Sequence, residues 1–321
     1  MHSHAPKPRP PAGVCALLAA LCALMLSGCS LDRIAADTTA GLLGEASRSF
    51  NEEPDPVIAR DAIPANLKLM EGLLKVTPGN AALLTTLARG WCSYGFGFLE
   101  ETGDKIDLER ASALYRRGFG FGLRTFTPAV AAALRGGSLD EIGEALESVG
   151  RKEVAPLFWS AYCLGNWVNL NTASVDGVAE LSKVELMMRR VALLDAGFFH
   201  GGPDLFYGFY YGKRPKLLGG NPSKAREHLL RAASFSAGRF LMAKLFLAEV
   251  YAVAAQDEKL FEDTLREIVA APADLMPEER LANELARKRA LRLLARQAEL
   301  FEQPEAVASG AADPAPLKGE P

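Results

Sequence analysis

Histidine and cysteine are scarce in this chain, at four and five of 321 residues, and their placement removes most metal and redox chemistry. His2 and His4 sit at the extreme N-terminus, so only His200 and His228 remain in the body of the chain. Neither has a second histidine or a cysteine at ligand spacing, which argues against zinc, whose sites need several such side chains converging. HExxH, GxSxG, CxxC and the Walker phosphate loop are also missing; the segment from Gly208 to Arg214 imitates the last of these but lacks its spacing and its Ser/Thr. No enzyme, cofactor or metal is expected. Basic excess is lacking too. Lys7 and Arg9 lie in the first 28 residues, so the remainder holds 34 of the 36 Lys and Arg against 39 Asp and Glu, a net charge of −5, which argues against nucleic acid as a partner. Beyond residue 28 no apolar run approaches eighteen residues; the best, Phe240 to Ala255, is broken by Lys244 and Glu249.

What is present begins with an export signal. Lys7 and Arg9 precede thirteen apolar residues, Val14 to Leu26, the length of a signal-peptide core and too short to span a bilayer. The run ends in Leu26-Ser27-Gly28-Cys29, which resembles the lipobox of bacterial lipoproteins. Cleavage before Cys29 and lipidation of its thiol are therefore expected, each buried methylene of the acyl chains adding about 0.8 kcal/mol of membrane affinity. Ser30 stands where an inner-membrane lipoprotein typically carries Asp, so the expected location is the periplasmic face of the outer membrane. Once Cys15 and Cys22 leave with the signal and Cys29 takes lipid, Cys92 and Cys163 remain. They either form one disulfide in the oxidising periplasm or stay as buried thiols acting as small hydrophobes, and their helical, aromatic-rich surroundings favour the thiols.

The chain divides into a signal (1–28), a lipidated tether (29–45), a helical domain (46–303) and a C-terminal tail (304–321) whose Ala- and Pro-rich composition predicts disorder. Within the domain apolar residues recur at helical spacing, while strand-like alternation is hardly visible. Helices are expected over 58–76, 81–99, 108–118, 153–169, 178–196, 203–211, 223–234, 240–255 and 278–301. The fold class is all-α. Four segments repeat the tetratricopeptide frame of a large apolar residue, a small one and an aromatic three positions on: Leu87-Ala88 with Trp91, Leu164-Gly165 with Val168 (the one departure), Tyr207-Gly208 with Tyr211, and Leu247-Ala248 with Tyr251. The small residue lets two helices approach and the aromatic fills the gap to the next. Spacings of 77, 43 and 40 residues make this an expanded, irregular helical-repeat solenoid, with extra helices in the first gap, one near 139–149.

Aromatic residues are concentrated. Phe198, Phe199, Phe206, Tyr207, Phe209, Tyr210 and Tyr211 fall within fourteen positions; Trp91, Tyr94, Phe96 and Phe98 form a second group, and Phe158, Trp159, Tyr162 and Trp167 a third. Adjacent helix positions cannot all face one core, so some of these rings must line a second interface or a cavity. For any single ring, thick packing between two helix layers is the simpler reading; as groups they favour a lined cavity. Trp91, Tyr94, Phe98, Trp159, Tyr162, Asn166, Trp167, Phe206, Tyr207, Tyr210, Tyr211 and Arg214 are the candidate lining, suited to a ligand with an apolar body and an acidic head. Asn169, Asn171, Lys213 and Lys216 add nearby polar groups that loop solvation also explains.

With lipobox Cys29, the segments LARGWCSYGFGFLEE, ALYRRGFGFGLR, PLFWSAYCLGNWVNLN and GGPDLFYGFYYGKRPKLLGGNPSKAREHLLRA resemble the TatT family, the T components associated with tripartite ATP-independent periplasmic (TRAP) transporters. The resemblance runs from about residue 45 to 300. It implies a periplasmic lipoprotein of tetratricopeptide-like helices, a homotrimer, a hydrophobic pore or cavity in each subunit, and pairing with a TRAP substrate-binding protein; it carries over no catalytic or ligand residue. The expected function is a non-enzymatic accessory of solute uptake that binds or relays a small, partly hydrophobic organic acid. The alternative is a repeat-built outer-membrane adaptor or envelope-assembly scaffold, which predicts an open groove and no cavity.

Overall fold

The computed structural model describes residues 38–39, 41–42 and 44–301; the export signal, Cys29 and the 304–321 tail lie outside them. Among the described residues there are helices and turns and no strand, and no helix is long and apolar enough to cross a membrane. A helical stretch at 44–52 leads into α1 (Pro56–Leu73), which starts where the Asp55 carboxylate accepts from the Val57 N–H and Pro56 occupies a position needing no donor. Helix α2 (Ala81–Tyr94) is capped in the same way by Asn80 and runs into a wider π-helical turn, Gly95–Leu99. Helix α3 (Lys105–Leu123) begins after the left-handed Gly103 and the Asp104 cap.

Two short helices follow, α4 (Pro128–Gly136) capped by Thr127 and α5 (Leu139–Glu147) opened by a reciprocal Ser138–Glu141 capping box. They pack on each other, with α5 against a later helix, and they account for the long gap between the first two repeat marks. The remaining elements are α6 (Val154–Leu170), α7 (Val175–Leu194), α8 (Phe198–Gly212), α9 (Pro222–Phe235), α10 (Leu241–Phe246) continuing into a second π-helical turn (Leu247–Ala252), α11 (Glu258–Ala270), α12 (Arg280–Ala295) and α13 (Gln297–Leu300).

Neighbours in sequence mostly pack as neighbours in space, giving an all-α helical solenoid: α2 on α3, α3 on α6, α6 on α7, α8 on α9, α11 on α12. The small residues of the repeat frame act as expected where they are glycine in a tight crossing. A Cβ on Gly208 would lie 2.5 Å from the Leu229 side chain, so only glycine lets α8 settle onto α9. Two large buried clusters result, one from α2 through α7 around Tyr115, Leu157, Phe158 and Met187, the other from α8 through α12 around Phe246, Phe261 and Leu265.

The two cysteines are joined. Helices α2 and α6 both lie against α3, which brings the Cα atoms of Cys92 and Cys163 to 5.4 Å, bonding distance for a disulfide. The expectation of two buried thiols is corrected on this point: burial of both residues was read correctly, but Gly118 of α3 lies under the pair, where a Cβ would sit 2.3 Å from Cys92 Sγ and 2.8 Å from Cys163 Sγ. The missing side chain leaves room for the bridge.

The solenoid also closes on itself. Helix α12 returns to α1, Glu279 just before it faces Arg89 of α2 at 3.7 Å, and the Arg289 guanidinium bonds Glu101, past the first π-turn, at 2.9 Å and Glu249 of the second π-turn at 2.5 Å. Gly97, in the first π-turn, faces Leu285, whose Cδ1 would be 2.9 Å from an added Cβ. Residues far apart in the chain are thus clamped at both ends of one seam.

Candidate functional site

The seam borders a half-open cavity of about 420 Å³, within the range of small-molecule sites. One face of α2 forms its main wall. Thr86, Arg89, Gly90 and Ser93 recur every three or four residues and look into the cavity, while Leu84, Leu87, Ala88 and Cys92 on the same helix are buried in the core. Ile63 and Leu67 of α1, Phe98 of the first π-turn, and Leu281 and Leu285 of α12 supply apolar surface. Residues of the 44–51 stretch, with Glu45 and Arg48 paired at 3.0 Å, complete the lining.

Phe199 enters from a distorted start to α8. Phe199 and His200 have φ of 47° and 56° and Gly201 follows at 77°, three left-handed residues in succession. For non-glycine residues this costs on the order of 1–2 kcal/mol each and persists where the surroundings over-determine it. Here they do. The Phe199 ring packs 4.8 Å from Trp159, 5.8 Å from Phe158 and 5.6 Å from Phe240, and the His200 ring lies tilted 4.6 Å from Phe240 with Nε2 at 3.4 Å from Glu279 Oε1.

Among the described lining residues Arg89 is the cation with the looser ion pair, 3.7 Å to Glu279 against 3.0 Å for Arg48 to Glu45. Its guanidinium lies 5.1 Å from the Trp159 ring and 5.3 Å from the Phe199 ring, and burial pulls its pKa below the ordinary arginine value, an effect Glu279 opposes. An arginine so placed stays cationic.

The rings singled out in the sequence fall into three places. Tyr94 and Phe98 line the cavity, 5.3 Å apart. Trp159 lies directly behind Arg89 and Phe199, and Tyr162 stacks beside Phe158 with its hydroxyl pKa pushed up by burial and by Glu100. Asn166, one turn on, returns its amide to the Tyr162 carbonyl at 3.0 Å. Trp91 points to the opposite side of α2, where its Nε1 donates to Glu71 at 2.8 Å under the Arg117 guanidinium; Trp167 is covered by Arg116 at 4.5 Å.

Phe206, Tyr207, Tyr210, Tyr211 and Arg214 form a separate half-buried patch on α8, away from the cavity. Arg214 covers the Tyr210 ring at 4.5 Å, and Tyr207 and Tyr211 stack on His228 at 5.1 and 5.6 Å. Burial and Glu185, to which Tyr207 donates at 3.2 Å, push the Tyr207 hydroxyl upward. Beneath the patch, Asp204 holds His228 at 2.6 Å and Arg231 at 2.6 and 2.9 Å; burial alone would raise Asp204, but these two partners together hold it below its ordinary value.

Arg89, Phe199, Glu279 and Leu285 were not among the candidate lining residues. The signal for Arg89 was an isolated cation inside the apolar run of α2; Glu279 and Leu285 reach the site only through chain closure. Among the described residues no group of His, Cys, Asp and Glu is arranged to hold a metal ion.

An uncharacterized protein of Treponema pallidum (strain Nichols) is 24% identical over 328 aligned residues, covering 91% of this chain and 98% of that protein. Residues 52–301, the helical body described above, match the family of TRAP transporter T-components. That family is a transport component and not an enzyme family, and the chain belongs to it.

Proposed function

We propose that the protein is a lipid-anchored, non-enzymatic accessory of a TRAP uptake system that binds a small, partly hydrophobic organic acid in the cavity and passes it to the substrate-binding protein. The observation that carries this reading is the cavity between α1, α2 and α12, with largely apolar walls and one loosely paired cation, Arg89. Apolar walls desolvate a ligand's body, and few polar groups fix its orientation. Relay needs only reversible binding. Lipidated Cys29 would hold the domain at the periplasmic face of the outer membrane, and a homotrimer would present several cavities to the partner.

The adaptor alternative predicts an open concave groove, which the return of α12 to α1 disfavours. Native mass spectrometry of the Cys29→Ser chain tests the proposal. A trimer retaining a lipophilic or acidic small molecule is the expected spectrum. An empty monomer would shift the weight to the adaptor.

A further inference from the structure

Three partly buried arginines elsewhere in the protein are engaged through their N–H groups, whereas the buried Nε of Arg280, outside the cavity lining, has no partner among the described residues. Arg190 donates to the carbonyls of Glu147 and Val149, Arg287 to Glu284 and the Ala271 carbonyl, and Arg289 to Glu101 and Glu249. Arg89 differs. Its side chain is 33% exposed, the exposed part borders the cavity, and its ionic partner Glu279 stands at 3.7 Å, beyond hydrogen-bond reach. Among the described residues no hydrogen bond engages its five donors.

The surroundings hold the guanidinium in place without using those donors. The guanidinium carbon lies over the Trp159 and Phe199 rings, and Phe199 is fixed by its left-handed backbone and by Phe158 and Phe240. An arginine supported on its rings and unsatisfied at its edge matches the planar, bidentate geometry of a carboxylate. Glu279 has a second partner in His200 Nε2, at 3.4 Å, and can keep it when Arg89 is taken. Arg48, the other lining arginine, is paired with Glu45, so one anionic head is accommodated and not two.

We infer that Arg89 is the head-group receptor of the cavity, binding the carboxylate of a single-headed, apolar-bodied acid in place of Glu279, with the acid's body along Ile63, Leu67, Phe98, Leu281 and Leu285. The inference rests on the cavity being the ligand site. It assigns the substrate class: monocarboxylates with an aliphatic or aromatic body, in preference to dicarboxylates, neutral lipids and amines.

The test is calorimetric titration of the full chain carrying Cys29→Ser with decanoate, decanol and decylamine, repeated on Arg89→Gln. Decanoate is expected to bind the unaltered site at least tenfold more tightly than decanol and decylamine, and Arg89→Gln is expected to abolish that preference while decanol binding persists. Equal binding of decanoate and decanol without the Arg89 change, or a preference that survives Arg89→Gln, overturns the head-group assignment and leaves the cavity reading standing. Failure of all three compounds to bind overturns the cavity reading and the assignment with it. Should Arg89→Gln fail to fold in a thermal melt, the comparison of the three compounds on the unaltered site still decides.

Discussion

At the scale of single residues, the strongest constraints are places where a side chain is absent or buried with charge. Gly118 sits under the Cys92–Cys163 bridge, so Gly118→Ala should force α3 away from the sulfurs and lower stability by about 1–3 kcal/mol, read by chemical denaturation. Removing the bridge as Cys163→Ala should cost about 2–4 kcal/mol, since it closes a separation of 71 residues; an unchanged denaturation midpoint would show that the bridge constrains nothing in the unfolded chain. Asp204 makes a pH prediction. Its folded pKa lies below the ordinary value because His228 and Arg231 outweigh burial, so the stability it adds is present above the unfolded carboxylate pKa and is lost as pH falls through the lower folded value. Asp204→Asn should therefore destabilise the protein at neutral pH and flatten the acid limb of its stability curve. Two cysteines and a glycine were visible in sequence as separate residues; that they meet was not, because the meeting depends on α2 and α6 sharing α3 as a neighbour.

Helices were largely legible because their signals are local. Asp55-Pro56, Asn80, Asp104 and Ser138 announce helix starts through backbone capping, and apolar spacing marks buried faces. The expected helix near 139–149 is α5, whereas α4 was not separately foreseen, being short and Ala-rich. The expected helices 81–99 and 240–255 each change pitch partway into a π-turn, which apolar periodicity does not signal. Both turns meet Arg289: Glu249 belongs to one, Glu101 follows the other, and the guanidinium lies 5.5 Å from Phe96. Arg289→Met should detach that end of α12, leaving Glu101 and Glu249 without this counter-ion. Hydrogen exchange should show faster exchange through α12 than through α6, and equal protection of α12 in both proteins would refute the clamp.

For the whole molecule, the feature that sequence left hidden is closure. Contacts between α12 and α1 join positions at least 207 residues apart, and no local pattern reports a contact of that range. The ring groups read in the sequence therefore divided differently from expectation: Tyr94 and Phe98 reach the cavity, Trp91 turns to the other side of the same helix, and the α8 tyrosines lie on another surface. Helix periodicity was sufficient to separate Trp91 from Tyr94; what it lacked was the partner wall. The central claim is that the space between α1, α2 and α12 is where ligand binds, and filling it tests that most directly. Ser93 lines the cavity on α2, so binding of decanoate should be measured on Ser93→Trp beside the unaltered chain. The bulky side chain is expected to abolish binding while the thermal midpoint stays within a few degrees. Undiminished binding by a folded Ser93→Trp protein would contradict it.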